Sequence, residues 1–251
     1  PKETAMSFGV IEVDNERRVK GFSEKPSSPK TVPGDPSKIF ASMGIYLFNR
    51  DVLLRELEKD ANDPNSDHDF GKNVIPQMLK NKKKVYVYNF VDKENKAKYW
   101  RDIGTRDAYY QANMDLLGEH CAFNLYDKSW PVRTFHEQYP PIKIASKESK
   151  RGIVIDSMIS GGCIIEAGTV ERSILSPNVY IQNQSEVKDS ILMESVIVGE
   201  HARIKNAIID KEVYIPPYTK IGYDLEHDKQ KFVLTSSGIV MVPKKTAVDT
   251  Y

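Results

Sequence analysis

Aliphatic side chains recur every six residues through the last part of the chain. Ile153, Ile159 and Ile165 begin the pattern, Leu175, Ile181 and Val187 continue it, and Leu192, Val198 and Ile204 precede Ile209, Ile215 and Ile221. Between 153 and 221, 23 of 69 residues are Ile, Leu or Val. At that density, twelve hits at twelve positions stand well above chance. A six-residue aliphatic period predicts a parallel β-helix built from hexapeptides, in which each stride of six is one flat face and three faces close a coil. The aliphatic side chain points inward, and small or turn-prone residues such as Ser160-Gly161-Gly162, Ala167-Gly168 and Pro177-Asn178 fill the corners. The coil is left-handed in the families that use it, against the usual crossover rule. A β-sandwich is the plainer alternative, but a period of two fails over long runs here.

The first part alternates strand-like and helix-like segments. Phe8 to Asp14 and Val19 to Glu24 read as two strands around the turn Asn15-Glu16-Arg17. Ser42 to Asn49 reads as a buried strand, and Val85 to Asp92 as another. Val52, Leu53 and Leu57 have helical spacing behind a candidate cap at Asp51, and Asn73 to Asn81 gives a second short helix. From Arg106 to Leu117, Tyr109, Ala112 and Leu116 fall on one helical face. Strands alternating with helices argue for an α/β sheet. Residues 118–150 hold Trp130-Pro131, Tyr139-Pro140-Pro141 and a charged run from Lys147 to Arg151, which suits an extended linker. The expected division is therefore an α/β part over 1–117, a linker over 118–150 and the β-helix over 151–251. Beyond Gly222 a charged turn and a last strand from Gly238 to Lys245 complete it.

Composition narrows the function classes. The 251 residues are 40% hydrophobic and 28% charged, with net charge +1. That is an ordinary soluble balance, with no field that marks a nucleic-acid binder. No apolar run reaches the roughly 18 residues needed to span a membrane, and none of these segments reads as a signal peptide. Two cysteines, Cys121 and Cys163, make no disulfide framework, so both read as plain thiols in a reducing cytoplasm. The chain opens PKETAMSFGVIEVD, without an initiator Met and with a strand almost at once, which reads as an entry in mid-domain.

Four short runs carry candidate chemistry. Glu24-Lys25-Pro26 ends a strand, where open α/β sheets bind ligands. Lys25 is a compact cation suited to a phosphate, and Glu24 an acceptor for sugar hydroxyls. Taken alone, the tripeptide is a weak signal, since a Glu-Lys pair at a strand end is usually a solvated turn. In Ser42-Met43-Gly44-Ile45-Tyr46, Ser42 and Tyr46 offer hydroxyls to a sugar ring, and Gly44 allows close backbone approach. In Tyr99 to Thr105, Asp102 before a glycine can ligate Mg²⁺. Its plainer role, shared with Thr105, is to cap the next helix. In His68-Asp69-Phe70-Gly71-Lys72, Asp69 reads as a cap, and His68 has no Cys or His partner at metal spacing.

Taken in order, FSEKP, SMGIYLF, DFGK, YWRDIGT and the hexapeptide coil closely resemble the ADP-glucose pyrophosphorylases (glucose-1-phosphate adenylyltransferases) of bacterial type. Further matches are SGGC at 160–163, Ile208-Ile209-Asp210 and Ile215-Pro216-Pro217. The resemblance implies part of a Rossmann-like nucleotidyltransferase domain followed by an allosteric and oligomerising left-handed parallel β-helix, in a cytoplasmic homotetramer. It implies transfer of AMP from ATP to glucose 1-phosphate, with Mg²⁺, for glycogen- or starch-type glucan synthesis. Carried over residue by residue, it implies that Glu24 and Lys25 contact glucose 1-phosphate, with Lys25 on the phosphate. Ser42 contacts the glucose beside Tyr46, and Asp102 binds the metal. Lys211 and Lys244 stand where the family holds anionic allosteric effectors, though both also read as solvated surface lysines. The family's Gly-rich nucleotide loop and its other metal-binding Asp have no counterpart in these residues, so this segment alone is expected to make no ADP-glucose.

Two other classes compete. A hexapeptide acyltransferase uses the same coil with a histidine base, and His201 is the one histidine within the coil. A regulatory or scaffold subunit needs no chemistry, but has little reason to retain EKP, SMGIY and WRDIGT.

Overall fold

In the computed structural model, which describes residues 1–118, 123–135 and 137–248, the hairpin expected near the start is present. β1 (Gly9–Val13) and β2 (Val19–Glu24) pair antiparallel, and β3 (Phe40–Ala41) joins the other edge of β1, giving the order β2-β1-β3. Asp14 closes the turn by accepting the N–H groups of Glu16 and Arg18 at 3.0 and 2.9 Å, and it pairs with Lys20. These elements belong to a first unit, Pro1–Lys98; a second runs from Tyr99.

The buried strand expected at 42–49 is absent. Ser42 donates its N–H to the Gly9 carbonyl at 2.8 Å, but Ile45 and Leu47 are 73% and 99% exposed. A strand is buried only where neighbours take its backbone groups and cover both faces. Among the described residues nothing flanks this segment that way. The strand expected at 85–92 is reduced to isolated bridges: Val19 donates to the Val85 carbonyl, Val87 to that of Arg17, and Arg18 and Tyr86 form one bridge, while at the far end Val91 bridges Ala97 and Lys98 donates to the Phe90 carbonyl.

The helices came closer to expectation. α1 (Arg50–Ala61) half-buries Val52, Leu53 and Leu57 as the spacing predicts, but its cap position is Asn49 and Asp51 lies in its first turn. A π-helical turn, Phe70–Val74, leads into α2 (Ile75–Lys80), which buries Ile75 and Met78. Asp69 is the cap: its Oδ1 accepts the N–H groups of Gly71 and Lys72, each at 2.8 Å.

In the second unit the hexapeptide reading holds as a parallel β-helix of five coils. One sheet stacks Lys143–Ala145, Ile164–Glu166, Tyr180–Ile181, Ile197–Val198 and Tyr214–Ile215. The second stacks Ile153–Ile155, Thr169–Glu171, Glu186–Lys188, Arg203–Lys205 and Lys220–Ile221. The third stacks Met158–Ile159, Ile174–Leu175, Ile191–Leu192, Ala207–Ile209 and Val240–Val242, with Val233–Leu234 antiparallel on its edge. The strand Lys143–Ala145 lies within the segment read as linker, laid there by its parallel ladder to Ile164–Glu166.

Register explains the breaks in the six-residue period. Val170, Val187, Ile204 and Ile221 form one inward column whose members are hydrogen-bond ladder partners in successive coils. A regular coil therefore takes 17 residues, two strides of six and one of five. In the first coil it is Val154 that sits in this column, opposite Val170, while Ile153 is 45% exposed on the outer face. Each fully buried Ile or Leu contributes about 1.5–3 kcal/mol. The corners carry left-handed backbone at Asp156, Gly162, Ala167, Arg172, Asn178, Gln184, Asp189, Ser195, His201, Asn206, Glu212 and Tyr218. Few are the glycines that such backbone favours, so the ladders on both sides of each corner impose it. Gly161 is glycine for a different reason, and Gly162 for an additional one: a Cβ on either would lie 3.2 Å from Tyr139, whose hydroxyl donates to Glu194 at 2.6 Å.

Two helices decorate the coil. α3 (Arg106–Met114), expected with the α/β part, belongs to the coil's unit. It packs Tyr109, Tyr110 and Met114 against Ile191, Ile208 and Ile239 of the third sheet and its flank. Tyr110 donates its hydroxyl to the Asp189 carbonyl at 2.7 Å. The charged turn expected after Gly222 is instead α4 (Leu225–Lys231), capped by Asp224, which accepts the His227 N–H. Asp228 of α4 is fully buried and accepts the Gly222 N–H at 2.7 Å. Cys163 is buried in the coil, its thiol 3.1 Å from the Ser176 carbonyl; Cys121 lies outside the described residues. Among the described residues no helix is long and apolar enough to cross a membrane.

Candidate active site

The strand pairing sets the sugar-phosphate candidates at one end of the small sheet. Both neighbours of β1 run antiparallel to it, so their last residues lie beside its first. Glu24 pairs with Gly9, Lys25 donates its N–H to the Phe8 carbonyl at 3.1 Å, and Ser42 donates to Gly9 from the opposite edge. Glu24 and Lys25 thus stand two strand spacings from Ser42, roughly 10 Å across. Lys25 has a left-handed backbone, φ 45°, which turns the chain sharply where β2 stops.

Packing beneath this edge fixes its side chains. A Cβ at Gly9 would fall 2.6 Å from the Phe22 ring and 2.9 Å from Glu24 Oε2, so the absent side chain is what lets the Glu24 carboxylate lie over the strand. The same ring lies 3.0 Å from where a Cβ on Gly71 would sit. Phe70 stacks on Tyr46 with ring centres 5.5 Å apart, and Phe48 joins them. Tyr46 Oη is 3.1 Å from Ser42 Oγ. The structure therefore brings together Glu24, Lys25, Ser42 and Tyr46, and adds Gly9, Phe22 and Phe70 as supports that motif reasoning missed. Their signal in the sequence was only a glycine opening an apolar strand and aromatics beside the motifs.

Asp102 lies in the second unit, on the exposed loop that leads into α3. Its Oδ1 accepts the Gly104 N–H at 3.2 Å, and the capping role falls to Thr105, whose Oγ1 accepts the Ala108 N–H at 3.1 Å. Arg101 pairs with Asp115 at 2.6 Å, and Tyr99 donates to the same carboxylate. Among the described residues no three His, Cys, Asp or Glu side chains form a metal cluster. Mg²⁺ commonly takes only one or two carboxylates and fills its octahedron with water and substrate phosphates. One exposed carboxylate with a free oxygen fits that partial role and no fuller one.

Lys211 and Lys244 meet around a single carboxylate. Asp210 accepts the N–H of Lys211 at 2.7 Å and that of Lys244 at 3.1 Å, because each lysine follows the end of neighbouring parallel strands. The Lys244 ammonium pairs with Glu212 at 3.0 Å. His201 stacks flat on Tyr218, ring centres 4.9 Å apart.

Comparison with known proteins divides the chain later than its compact units do, since the first match runs past Lys98 and includes Asp102 and α3. Residues 1–119 match the family described as "Nucleotidyl transferase", and residues 140–242 match "GlmU-like, C-terminal hexapeptide". A glucose-1-phosphate adenylyltransferase of Koribacter versatilis (strain Ellin345) is 52% identical over 97% of this chain and 59% of its own length. Proteins of the same name from Anaeromyxobacter sp. (strain Fw109-5) and Shewanella sp. (strain ANA-3) are each 48% identical, over 99% and 96% of this chain and 63% and 58% of theirs. The chain is thus similar to proteins named glucose-1-phosphate adenylyltransferase along almost all of its residues, while spanning about three fifths of their length.

Proposed function

We propose that this chain supplies the sugar-phosphate side and the β-helix of an enzyme that transfers AMP from ATP to glucose 1-phosphate. The observation that carries the reading is the convergence of Glu24, Lys25 and Ser42 on the Phe8-Gly9 end of β1, in a chain 52% identical to a protein named for that reaction. In this reading the phosphate oxygen of glucose 1-phosphate attacks the α-phosphorus of ATP, the bond to the β-phosphate breaks, and pyrophosphate leaves.

Such transfers depend on positioning and charge neutralisation. The Lys25 ammonium holds the acceptor phosphate and offsets its charge. Glu24 accepts hydrogen bonds from sugar hydroxyls, and the linked hydroxyls of Ser42 and Tyr46 serve the other side of the ring. Asp102 is the residue that would hold Mg²⁺, whose charge, when bound, screens the phosphates. Lys211 and Lys244 are proposed to receive an anionic effector. Asp210 fixes their backbones, and Glu212 is the competitor such an anion must displace from Lys244. Assembly into a tetramer in the cytoplasm completes the reading.

The test is Lys25→Ala in a polypeptide that spans the relatives' full length. KM for glucose 1-phosphate should rise about 100-fold or more, while KM for ATP changes little. Equal losses for both substrates would refute the assignment.

A further inference from the structure

The loop that carries Asp102 is not held by its own contacts alone. It runs directly into α3, and the first turn of α3 presents Asp107 to the tip of the hairpin formed by Val233–Leu234 and Val240–Val242. That tip is a tight turn: Gly238 donates its N–H to the Thr235 carbonyl at 3.0 Å and has left-handed backbone, φ 82°. Ser236 and Ser237 both donate their hydroxyls to the Asp107 carboxylate, one oxygen each, Ser236 at 3.2 Å. Hydroxyls of Ser237, Thr235 and Ser236, in that order, hold the Asp107 carboxyl below its usual range against the opposing effect of burial. The hairpin is in turn fixed to the coil, since Val240–Val242 runs parallel to Ala207–Ile209.

We infer that Asp107 is a positioning residue: by gripping Ser236 and Ser237 it ties the start of α3, and with it the Asp102–Thr105 loop, to the β-helix. The inference rests on the metal role proposed for Asp102. Thr105 caps α3 only while the first turn keeps its place, and Asp102 is three residues before that cap. The packing of Tyr109, Tyr110 and Met114 secures the helix farther along, so Asp107 is the side chain that secures its leading end. A carboxylate that shares a metal with substrate phosphates must be set within a fraction of an ångström, and a loose leading turn would defeat that.

The test has two readings. In the 251-residue chain, amide hydrogen exchange at 103–109 is compared among wild type, Asp107→Asn, Asp107→Glu and the double variant Ser236→Ala/Ser237→Ala. Exchange should quicken about tenfold in Asp107→Asn and in the double serine variant, return toward wild type in Asp107→Glu, and stay unchanged in the coil amides. Unchanged exchange at 103–109 in both disrupting variants overturns the tether, as does an equal rise throughout the coil. In a polypeptide of the relatives' full length, Asp107→Asn should raise the Mg²⁺ needed for half-maximal rate about fivefold and leave KM for glucose 1-phosphate in place. Faster exchange without that rise overturns the positioning role. Asp102→Asn separates the two ideas: an unchanged Mg²⁺ requirement there removes the metal role of Asp102, while the exchange data still decide the tether.

Discussion

Ser42 and Tyr46 share a hydrogen bond, Oγ to Oη at 3.1 Å, and the ring that carries Oη is stacked on Phe70. The pair places two hydroxyls side by side at the edge proposed to receive the sugar. Tyr46→Phe keeps the stack and removes the bond, so stability should fall by only about 0.5–1.5 kcal/mol. Phe70→Ala removes the ring beneath Tyr46 and should cost more, about 3 kcal/mol. Thermal unfolding of the two variants checks the order, and a larger loss in Tyr46→Phe would contradict it.

Gly9 predicts a defect out of proportion to its size. A methyl there would meet the Phe22 ring at 2.6 Å and Glu24 Oε2 at 2.9 Å, so Gly9→Ala must displace one or both. Overpacking of this kind costs about 1–3 kcal/mol. The functional outcome expected is weaker use of glucose 1-phosphate with ATP use preserved, measured as separate KM values.

Within the coil the sharpest test is Gly222→Ala. The added Cβ would sit 1.8 Å from the Lys205 carbonyl oxygen, at a φ of 82° that alanine avoids. It would also disturb the N–H that Gly222 donates to the buried Asp228. The variant should melt well below wild type, and below Ile204→Ala, for which truncation of a fully buried side chain predicts a loss of about 2–5 kcal/mol. A melting temperature near that of wild type for Gly222→Ala would rule out the packing described.

Tyr110 gives the coil an alkaline limit. Burial, and next the charge of Asp189, push its hydroxyl up to about 12. A group whose acid form is favoured in the folded state contributes stability that is complete below the unfolded pKa, about 10 for tyrosine. That contribution is lost as pH rises from about 10 through about 12. Urea unfolding across this window should show a loss in wild type that Tyr110→Phe lacks.

The sequence made the coil legible because a buried column repeats, and repetition survives ignorance of the partner. It chose wrongly within Ile153-Val154-Ile155, because a strict six-residue stride back from Ile159 lands on Ile153, whereas the true stride there is five. Only the ladder to Val170 selects Val154. Five-residue strides likewise looked like breaks in a six-residue rule, although they are part of the 17-residue coil. The run at 42–49 failed differently, since composition records that a segment is fit for burial but not whether anything covers it, and Leu47 remains almost wholly exposed. At the site, Glu24, Lys25, Ser42 and Tyr46 were readable as chemistry, whereas Gly9 and Phe22 matter through shape alone, which one-dimensional spacing does not encode. The tie between Asp107 and Ser237 joins residues 130 positions apart and leaves no local trace.

A coil of fixed length has a consequence for how such a protein can change size. Removing 17 consecutive residues from the middle of the spiral takes out one whole rung, and each column above still lands on the column below, with the spiral shorter by roughly 4.8 Å. Removing a single residue from within a strand instead turns the next aliphatic side chain toward water and pushes its outward neighbour into the interior, whereas a corner can absorb the loss, as the first coil does between Val154 and Val170. Growth and shrinkage by whole rungs is therefore cheap for this architecture, while the smallest edit is damaging wherever no corner can take it up.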